Sequence, residues 1–478
     1  MTSLAASETL LGLDLVQAAR LVADGTVDPV DLTSAYLDRL VDVDGDVGAY
    51  VTVAADRALD AARAARVAVR QGRPLGALHG LPLGVKDLFD TAGVRTTYGS
   101  ALYVDHVPTM DATVVARLRE AGAVLLGKHA THELAWGGTT SNEHFGVVHN
   151  PRRTSAIPGG SSGGSAAAVV SGTAIASVGT DTAGSVRIPA AACGCVGLKP
   201  SRGRVSLAGA MPLARSLDHA GPITRTVADA ALLLKVIAGA DERDPRTLDD
   251  AVPDYLAALA VRRRVRVGRL RGWYDALLDD AVREAVDVVH RRLTELGHEV
   301  VDVDAPGADA VAALFTRLTA EAGALHQQAF RRRPEAFGSI LRRILGRALP
   351  TPSDLAAAEG ALARQSAALF DALAGCDVLL TATLPMVAPP IGSETVTVSG
   401  TVLDLERALT RLTSVFDVSG LPALSLPLID GRRPPLPVDP ASDGPLPVGV
   451  QLVGRPRDEV TVLQVGHELE RALGGDEA

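Results

Sequence analysis

Two serines and a lysine are the residues from which this chain could build a reaction. Ser161 and Ser185 stand 24 residues apart in PGGSSGGSAAAVVSGTAIASVGTDTAGSVRIP, and Lys86 follows the apolar run LPLGV. A serine hydroxyl becomes a nucleophile when a base lies within hydrogen-bond reach. Lysine is such a base only when neutral, which requires burial and hydrogen bonding to push its pKa down by several units. Arginine never serves, because its guanidinium keeps its proton in a protein. The chain has four lysines (Lys86, Lys128, Lys199 and Lys235), and the other 43 of its 47 basic residues are arginine. In a chain that otherwise writes its positive charges as arginine, each of the four lysines calls for a reason.

Other chemistries compete for the same stretch. A phosphate loop ends in Gly-Lys-Ser/Thr, but no lysine lies between Lys128 and Lys199. The dinucleotide pattern G-x-G-x-x-G fails because Ser161 takes the second glycine position counted from Gly159. A Ser-His-Asp hydrolase normally presents its serine on a G-x-S-x-G elbow, which surrounds neither serine. A triad histidine could still come from a distant loop, and Ser-Lys variants stay open. His129, His132, Glu133, His144 and His149 are close in sequence. Their H-x-x-H-E order is not the H-E-x-x-H spacing of zinc enzymes, and no metal is expected.

The elements that must position these residues alternate between helix and strand. Residues 1–75 carry apolar residues at helical spacing and read as a helical layer. LPLGV reads as a buried strand delivering Lys86 and Asp87 at its end. A helix over 111–121 and a strand over 123–127 follow, then the Gly/Ser/Ala-rich stretch 158–200, suited to close backbone approach. A strand, helix and strand are expected over 261–304, helices over 308–375, and late buried strands at CDVLLTAT, LPALSLPLI and PVGVQLVG. The Pro-rich insert between the last two strands reads as an exposed hairpin loop, and a final helix starts near Asp458.

With 478 residues, 47% of them apolar, the chain can bury a deep pocket. Its net charge of −9 argues against a general nucleic-acid surface. No apolar run is long enough to span a bilayer, and the N-terminus lacks the pattern of a secretory signal. Cys193, Cys195 and Cys376 cannot form a disulfide framework. A cytoplasmic protein without a membrane or nucleic-acid partner is expected.

GGSSGGSAAAVVSGTAIASVGTDTAGSVRIPAAACGCVGLKPSRGRVS resembles the signature of the amidase-signature family in length, order and residue type. LPLGVKD resembles that family's lysine-bearing strand. The likeness is strong over 70–230 and continues weakly through DHAGPITRTVADAALLL, LPALSLP and PVGVQLVGRP. It implies an α/β fold with a large mixed central β-sheet covered by helices on both faces. Residues 76–478 would form the signature domain, with a core over 80–230, a variable substrate-pocket region over 300–400 and a Pro-rich loop at 431–447. Residues 1–75 would be a helical layer of the same domain.

Position by position, the resemblance places the family's lysine on Lys86, its cis-serine on Ser161 and its acylated serine on Ser185. Small, flexible residues around Ser185 suit a turn that aims N–H groups at one point. Thr182, Ala183 and Gly184, with Ser185, would then form an oxyanion hole, each donor worth about 3 kcal/mol in the transition state. Family members more commonly carry glycine where this chain has Ala183, and a positive φ there would strain alanine. Asp181 and Arg187 would hold the nucleophile loop by a charged hydrogen bond, while Lys128 and Lys199 read as structural.

HELAWGGTTSNEHFG resembles the family stretch along the substrate channel and suggests Ala135 and Trp136 as pocket lining, with Leu134 and Phe145 nearby. That lining offers no cation, so a neutral, hydrophobic aryl or alkyl carboxamide is the expected substrate, with carbamates (urethanes) and esters also feasible. The same segment looks more like free-standing amidases than like amidotransferase subunits. Two alternatives stand: a glutamine-dependent amidotransferase A subunit passing ammonia to a partner that acts on charged tRNA, and a catalytically silent binding protein. No cofactor is implied, and a monomer or homodimer is expected.

Overall fold

The computed structural model describes residues 4–307, 310–441 and 443–474. Parts of the expected helical stretches (1–3 and 308–309), Ser442 of the Pro-rich loop and residues 475–478 lie outside the described residues.

The N-terminal layer begins with well-signalled helices. Asp28 caps the helix Pro29–Val47 by accepting the Val30 N–H at 2.8 Å, Pro29 supplies a preset φ in the first turn, and Gly48 ends the helix in the left-handed region at φ 67°. The helix Ala55–Arg70 turns Ala58, Ala62 and Ala65 inward. Between them the all-helical expectation fails, since Tyr50–Val53 is a strand, β1. Four residues rich in β-branched side chains give too short a pattern to stand out between two helices, and an edge-strand partner decides their conformation.

Ten further strands join β1 in one sheet: β2 (Pro82–Lys86), β3 (Val124–His129), β4 (Ala176–Asp181), β5 (Val196–Lys199), β6 (His219–Thr224), β7 (Arg266–Arg271), β8 (Glu299–Asp304), β9 (Val378–Ala382), β10 (Ala423–Leu428) and β11 (Val448–Gly454). Their spatial order is β1-β3-β2-β4-β6-β5-β10-β11-β9-β7-β8. The pairs β2/β3, β2/β4, β7/β8 and β7/β9 are parallel, whereas β4/β6, β5/β6, β5/β10, β10/β11, β9/β11 and β1/β3 are antiparallel. The sheet is therefore mixed, as expected.

The central strands are buried along their whole length, including β2, β4, β6, β10 and β11. Two short helices, Gly163–Ser171 and Arg187–Cys193, begin just after Ser161 and Ser185 and are buried on every side. Their small residues make that possible. A Cβ on Gly164 would sit 2.5 Å from the Ala130 carbonyl oxygen, so only glycine lets this helix press against the strand end.

Helices Ala310–Arg332, Ser339–Leu345 and Pro352–Ala374 occupy the stretch where helices were expected over 308–375. It is tied to the core where Gly338 N–H donates to Glu133 Oε2 at 2.8 Å and Ser216 N–H donates to Glu321 Oε2 at 3.1 Å. The Pro-rich segment does connect an antiparallel pair, β10 and β11. It is not the simple exposed loop expected. Arg152 donates to the Pro435 carbonyl at 2.9 Å, Arg39 donates to the Val438 carbonyl at 3.0 Å, and Val438 N–H donates to the Val170 carbonyl at 2.9 Å. Proline lacks an N–H but keeps its carbonyl, so a Pro-rich chain can still be strapped down by arginine donors. Among the described residues no helix is long and apolar enough to cross a membrane.

Candidate active site

β2 and β4 run side by side and parallel, and their ends bring the chemistry together. Lys86, the last residue of β2, is fully buried. Its Nζ donates to Ser161 Oγ at 2.7 Å and to Thr180 Oγ1, on β4, at 2.8 Å. Burial pushes its pKa down to about 7, against the opposing pull of the Asp181 and Asp218 carboxylates. A buried ammonium loses its water shell, so the neutral amine gains ground.

The Gly160–Ser161 peptide is cis. Ser161 is further held by its carbonyl, which accepts Thr131 Oγ1 at 2.9 Å and His132 N–H at 3.3 Å. Ser185 is next to it through the main chain, because Ser162 N–H donates to the Ser185 carbonyl at 3.3 Å. The two catalytic-candidate hydroxyls form no hydrogen bond with each other here, a separation common before substrate draws such groups together.

The loop between β4 and the helix Arg187–Cys193 is shaped by one carboxylate. Asp181 accepts the N–H groups of Gly184 at 2.6 Å and Val186 at 3.1 Å, and both Arg187 Nε and Nη2 at 3.0 Å. Burial works against the charged carboxylate, yet the Arg187 guanidinium prevails and holds the Asp181 carboxyl below the usual range. The Asp181–Arg187 support read from the sequence is therefore present as a two-pronged pair.

Gly184 requires a correction as an oxyanion donor, since its N–H is occupied by Asp181. Thr182, Ala183 and Ser185 keep N–H groups without an acceptor among the described residues. Ala183 is not in the left-handed region. Gly184 is, at φ 125°, and a Cβ there would also lie 2.3 Å from Thr413 Oγ1. The position that demands glycine thus has it, and Ala183 carries no strain of that kind.

Sequence reasoning missed several members of this site. Thr413 Oγ1 donates to the Ala183 carbonyl at 2.6 Å, and Arg187 donates to the Thr413 carbonyl at 3.0 Å and to Asp417 Oδ2 at 2.7 Å. Asp417 lies 230 residues beyond Arg187, and no local pattern announces it. Burial and the adjacent Asp181 charge push the Asp417 carboxyl well up. No signal in the sequence singles out Thr180, which the fold brings to Lys86 Nζ.

A narrow cleft adjoins this cluster at Thr180 and Thr182, its lining also including Leu88, Ala135, Met211, Arg215, Asp218 and Arg246 but none of Lys86, Ser161 and Ser185. Ala135 is among its lining residues. Trp136 is not; it is buried in the main apolar core with Leu134. The cleft's lining is not purely apolar either, because the loop 210–218 and Arg246 bring two guanidiniums and a carboxylate to it. Those residues lie outside the segment from which an apolar lining was inferred, and folding alone brings them to the cleft.

The histidine-rich segment is parted among separate contacts. His129 Nδ1 meets Ser177 Oγ at 2.9 Å, His144 approaches Glu133 at 3.3 Å and His149 meets the Thr154 carbonyl at 2.7 Å. Among the described residues no three His, Cys, Asp or Glu side chains converge as metal ligands.

The Lys86 environment sets a pH dependence. If the neutral amine is the active form, kcat/KM rises with pH along one limb centred near 7 and then levels off. Asp218→Asn removes a carboxylate that favours the ammonium, so the limb should move to lower pH. A pH–rate profile on an uncharged amide checks this, and a limb that stays or moves upward would exclude Lys86 as the titrating group.

Comparison with known proteins agrees with the fold. The amidase family profile matches residues 31–463. The A subunit of glutamyl-tRNA(Gln) amidotransferase from Anaeromyxobacter sp. (strain K) is 39% identical, covering 98% of each chain. A chain from an inhibitor-bound vestigial protein complex, one that bears on the evolutionary origins of an s-triazine catabolic enzyme, superimposes with a TM-score of 0.90 at 33% identity, over 98% of this chain and 100% of that one. A crystal structure of an amidase superimposes with a TM-score of 0.86 at 36% identity, over 97% of this chain and 100% of that one. The curated relatives thus favour the amidotransferase reading that the channel segment had placed second. With a profile match across most of its length and relatives on the same mixed sheet, the chain belongs to the amidase-signature family of enzymes that act on amide C–N bonds.

Proposed function

We propose that this protein hydrolyses a linear carboxamide through an acyl-enzyme on Ser185, with Lys86 and Ser161 as its proton relay. The observation that carries this reading is the buried Lys86, its pKa brought to about 7 by burial and its Nζ 2.7 Å from Ser161 Oγ. Neutral Lys86 takes the Ser161 proton, Ser161 takes that of Ser185, and Ser185 Oγ attacks the amide carbonyl. The N–H groups of Thr182, Ala183 and Ser185 face the developing oxyanion. The relay returns a proton to the leaving amine, and water then cleaves the ester by the same route in reverse. Every proton has a carrier in the chain, so the cycle calls for no metal or organic cofactor.

Ser161→Ala should lower kcat by roughly two to four decades with the fold retained, because it interrupts the transfer while leaving Lys86 bonded to Thr180. Steady-state kinetics beside a thermal melt measure it. A loss below about threefold would route the relay through another group.

A second reading has a specific observation in its favour. The curated relatives are named as subunits of glutamyl-tRNA(Gln) amidotransferase, and the first of them matches over 98% of both chains. In that role the same acylation would release ammonia from glutamine for a partner protein. Ammonia release from L-glutamine, compared with uncharged amides and carbamates, separates the readings when combined with recovery of a partner subunit on the full-length chain. Glutamine turnover that rises with a co-purifying subunit supports the donor role. Indifference to glutamine supports a free-standing cytoplasmic amidase, monomeric or homodimeric. A silent binding protein would leave Ser185 unlabelled by a fluorophosphonate probe.

A further inference from the structure

The cleft that borders Thr180, the hydrogen-bond partner of Lys86, and Thr182 contains three charged side chains, and two of them are already occupied. Asp218 Oδ1 accepts Thr182 Oγ1 at 2.7 Å, and its carboxylate also accepts the N–H groups of Leu213 at 3.0 Å and Ala214 at 3.1 Å. Arg246 forms a pair with Asp244, Nε to Oδ1 at 2.8 Å and Nη2 to Oδ2 at 3.1 Å. Arg215 is different. Its side chain is exposed in the cleft and has neither hydrogen bond nor ion pair among the described residues.

Its backbone, by contrast, is pinned on every side. Arg246 Nη1 donates to the Arg215 carbonyl at 2.8 Å. Leu213 and Ala214 before it are tied to Asp218, and Ser216 after it is tied through N–H and hydroxyl to Glu321 of the helix Ala310–Arg332. Carboxylates in the vicinity therefore have other donors: Glu321 takes Ser216 and Arg317, and Asp244 takes Arg246 and the Leu207 N–H. A guanidinium on a fixed stretch of backbone, facing a cleft and left free, is arranged to receive an anion from outside. Its planar fork matches a carboxylate with two parallel hydrogen bonds.

We infer that Arg215 is a specificity residue that holds a carboxylate on the substrate, so that the amide cleaved at Ser185 belongs to a small anionic molecule rather than a neutral hydrophobic one. This rests on the hydrolase reading above and names its substrate class. It replaces the apolar-pocket expectation, whose premise was that no cation faced the pocket.

The test uses the para-nitroanilides of malonic, succinic and glutaric acid, each bearing one free carboxylate, beside neutral acyl anilides of equal length. Wild-type enzyme should prefer at least one acid over its neutral counterpart by about tenfold or more in kcat/KM, the scale of one charged hydrogen bond. Arg215→Gln should remove that preference, and Arg215→Lys should keep part of it, since charge survives without the fork. No preference for any acid, or a preference that survives Arg215→Gln, overturns the inference. Failure of the underlying reading has a different signature: wild-type Ser185 would not be labelled by a fluorophosphonate, and Ser185→Ala would still hydrolyse the anilides.

Discussion

Ser185→Ala is expected to lower kcat/KM by roughly three to four decades, with the melting temperature close to that of the parent. The hydroxyl is the atom that would form the acyl bond, and the remaining site can only polarise a bound amide. What survives is the contribution of the N–H groups at Thr182, Ala183 and residue 185, and of substrate positioning. Stability should be spared because the loop is held elsewhere: Asp181 gathers Gly184, Val186 and Arg187, and Thr413 grips Ala183. Kinetics with a chromogenic amide and mass spectrometry of the trapped acyl-enzyme give the answer. Activity above a tenth of the parent's would assign the nucleophile to another residue.

Lys86→Arg should be nearly as damaging, although it keeps the positive charge. The relay needs an amine that can give up its proton, and a guanidinium with a pKa above about 12 cannot. Burial, which brings Lys86 to about 7, is what would make it useful as a base. The same burial makes the larger guanidinium hard to seat beside Ser161 and Thr180, so the Arg variant could lose activity by misfolding alone. Lys86→Met separates the two causes. It is unbranched and close in length, removes the base without adding a charge, and should also lose roughly three decades. Circular dichroism and melting curves on both variants accompany the kinetics. A folded Lys86→Met enzyme with near-parental turnover would show that Lys86 is not the base.

Both results bear on either reading of the amide. An enzyme that feeds ammonia to a partner and one that hydrolyses a free anionic amide would share the acylation step, and they diverge in what the cleft accepts. Glutamine and a free anionic amide both carry a carboxylate, so Arg215 tests whether the cleft takes such a group, and glutamine turnover with a co-purifying subunit separates the two readings.

Much of the candidate site was legible without coordinates. The apolar LPLGV run read as a buried strand, which placed the lysine at its end for desolvation, although a lone lysine there is more often a surface charge. The Gly/Ser/Ala stretch had to be tightly packed, since it lacks bulk, and both of its helices are buried on all sides. These conclusions follow from residue type and near-neighbour spacing, which act over a few residues. Tertiary structure decided the rest. Asp417, Thr413 and Arg215 reach the site from distant segments or loops whose local patterns carry no chemical mark, because the contacts that give them meaning exist only after the chain has closed on itself. The N–H of Gly184 reads as an oxyanion donor until the folded loop turns it onto Asp181, a competition between acceptors that depends on orientation. β1 was hidden for a related reason: a four-residue edge strand is stabilised by its partner β3 rather than by its own periodicity. Sequence alone thus determined which groups could react, and the tertiary structure decided which of them face one another, which are already satisfied, and which is left free for a substrate.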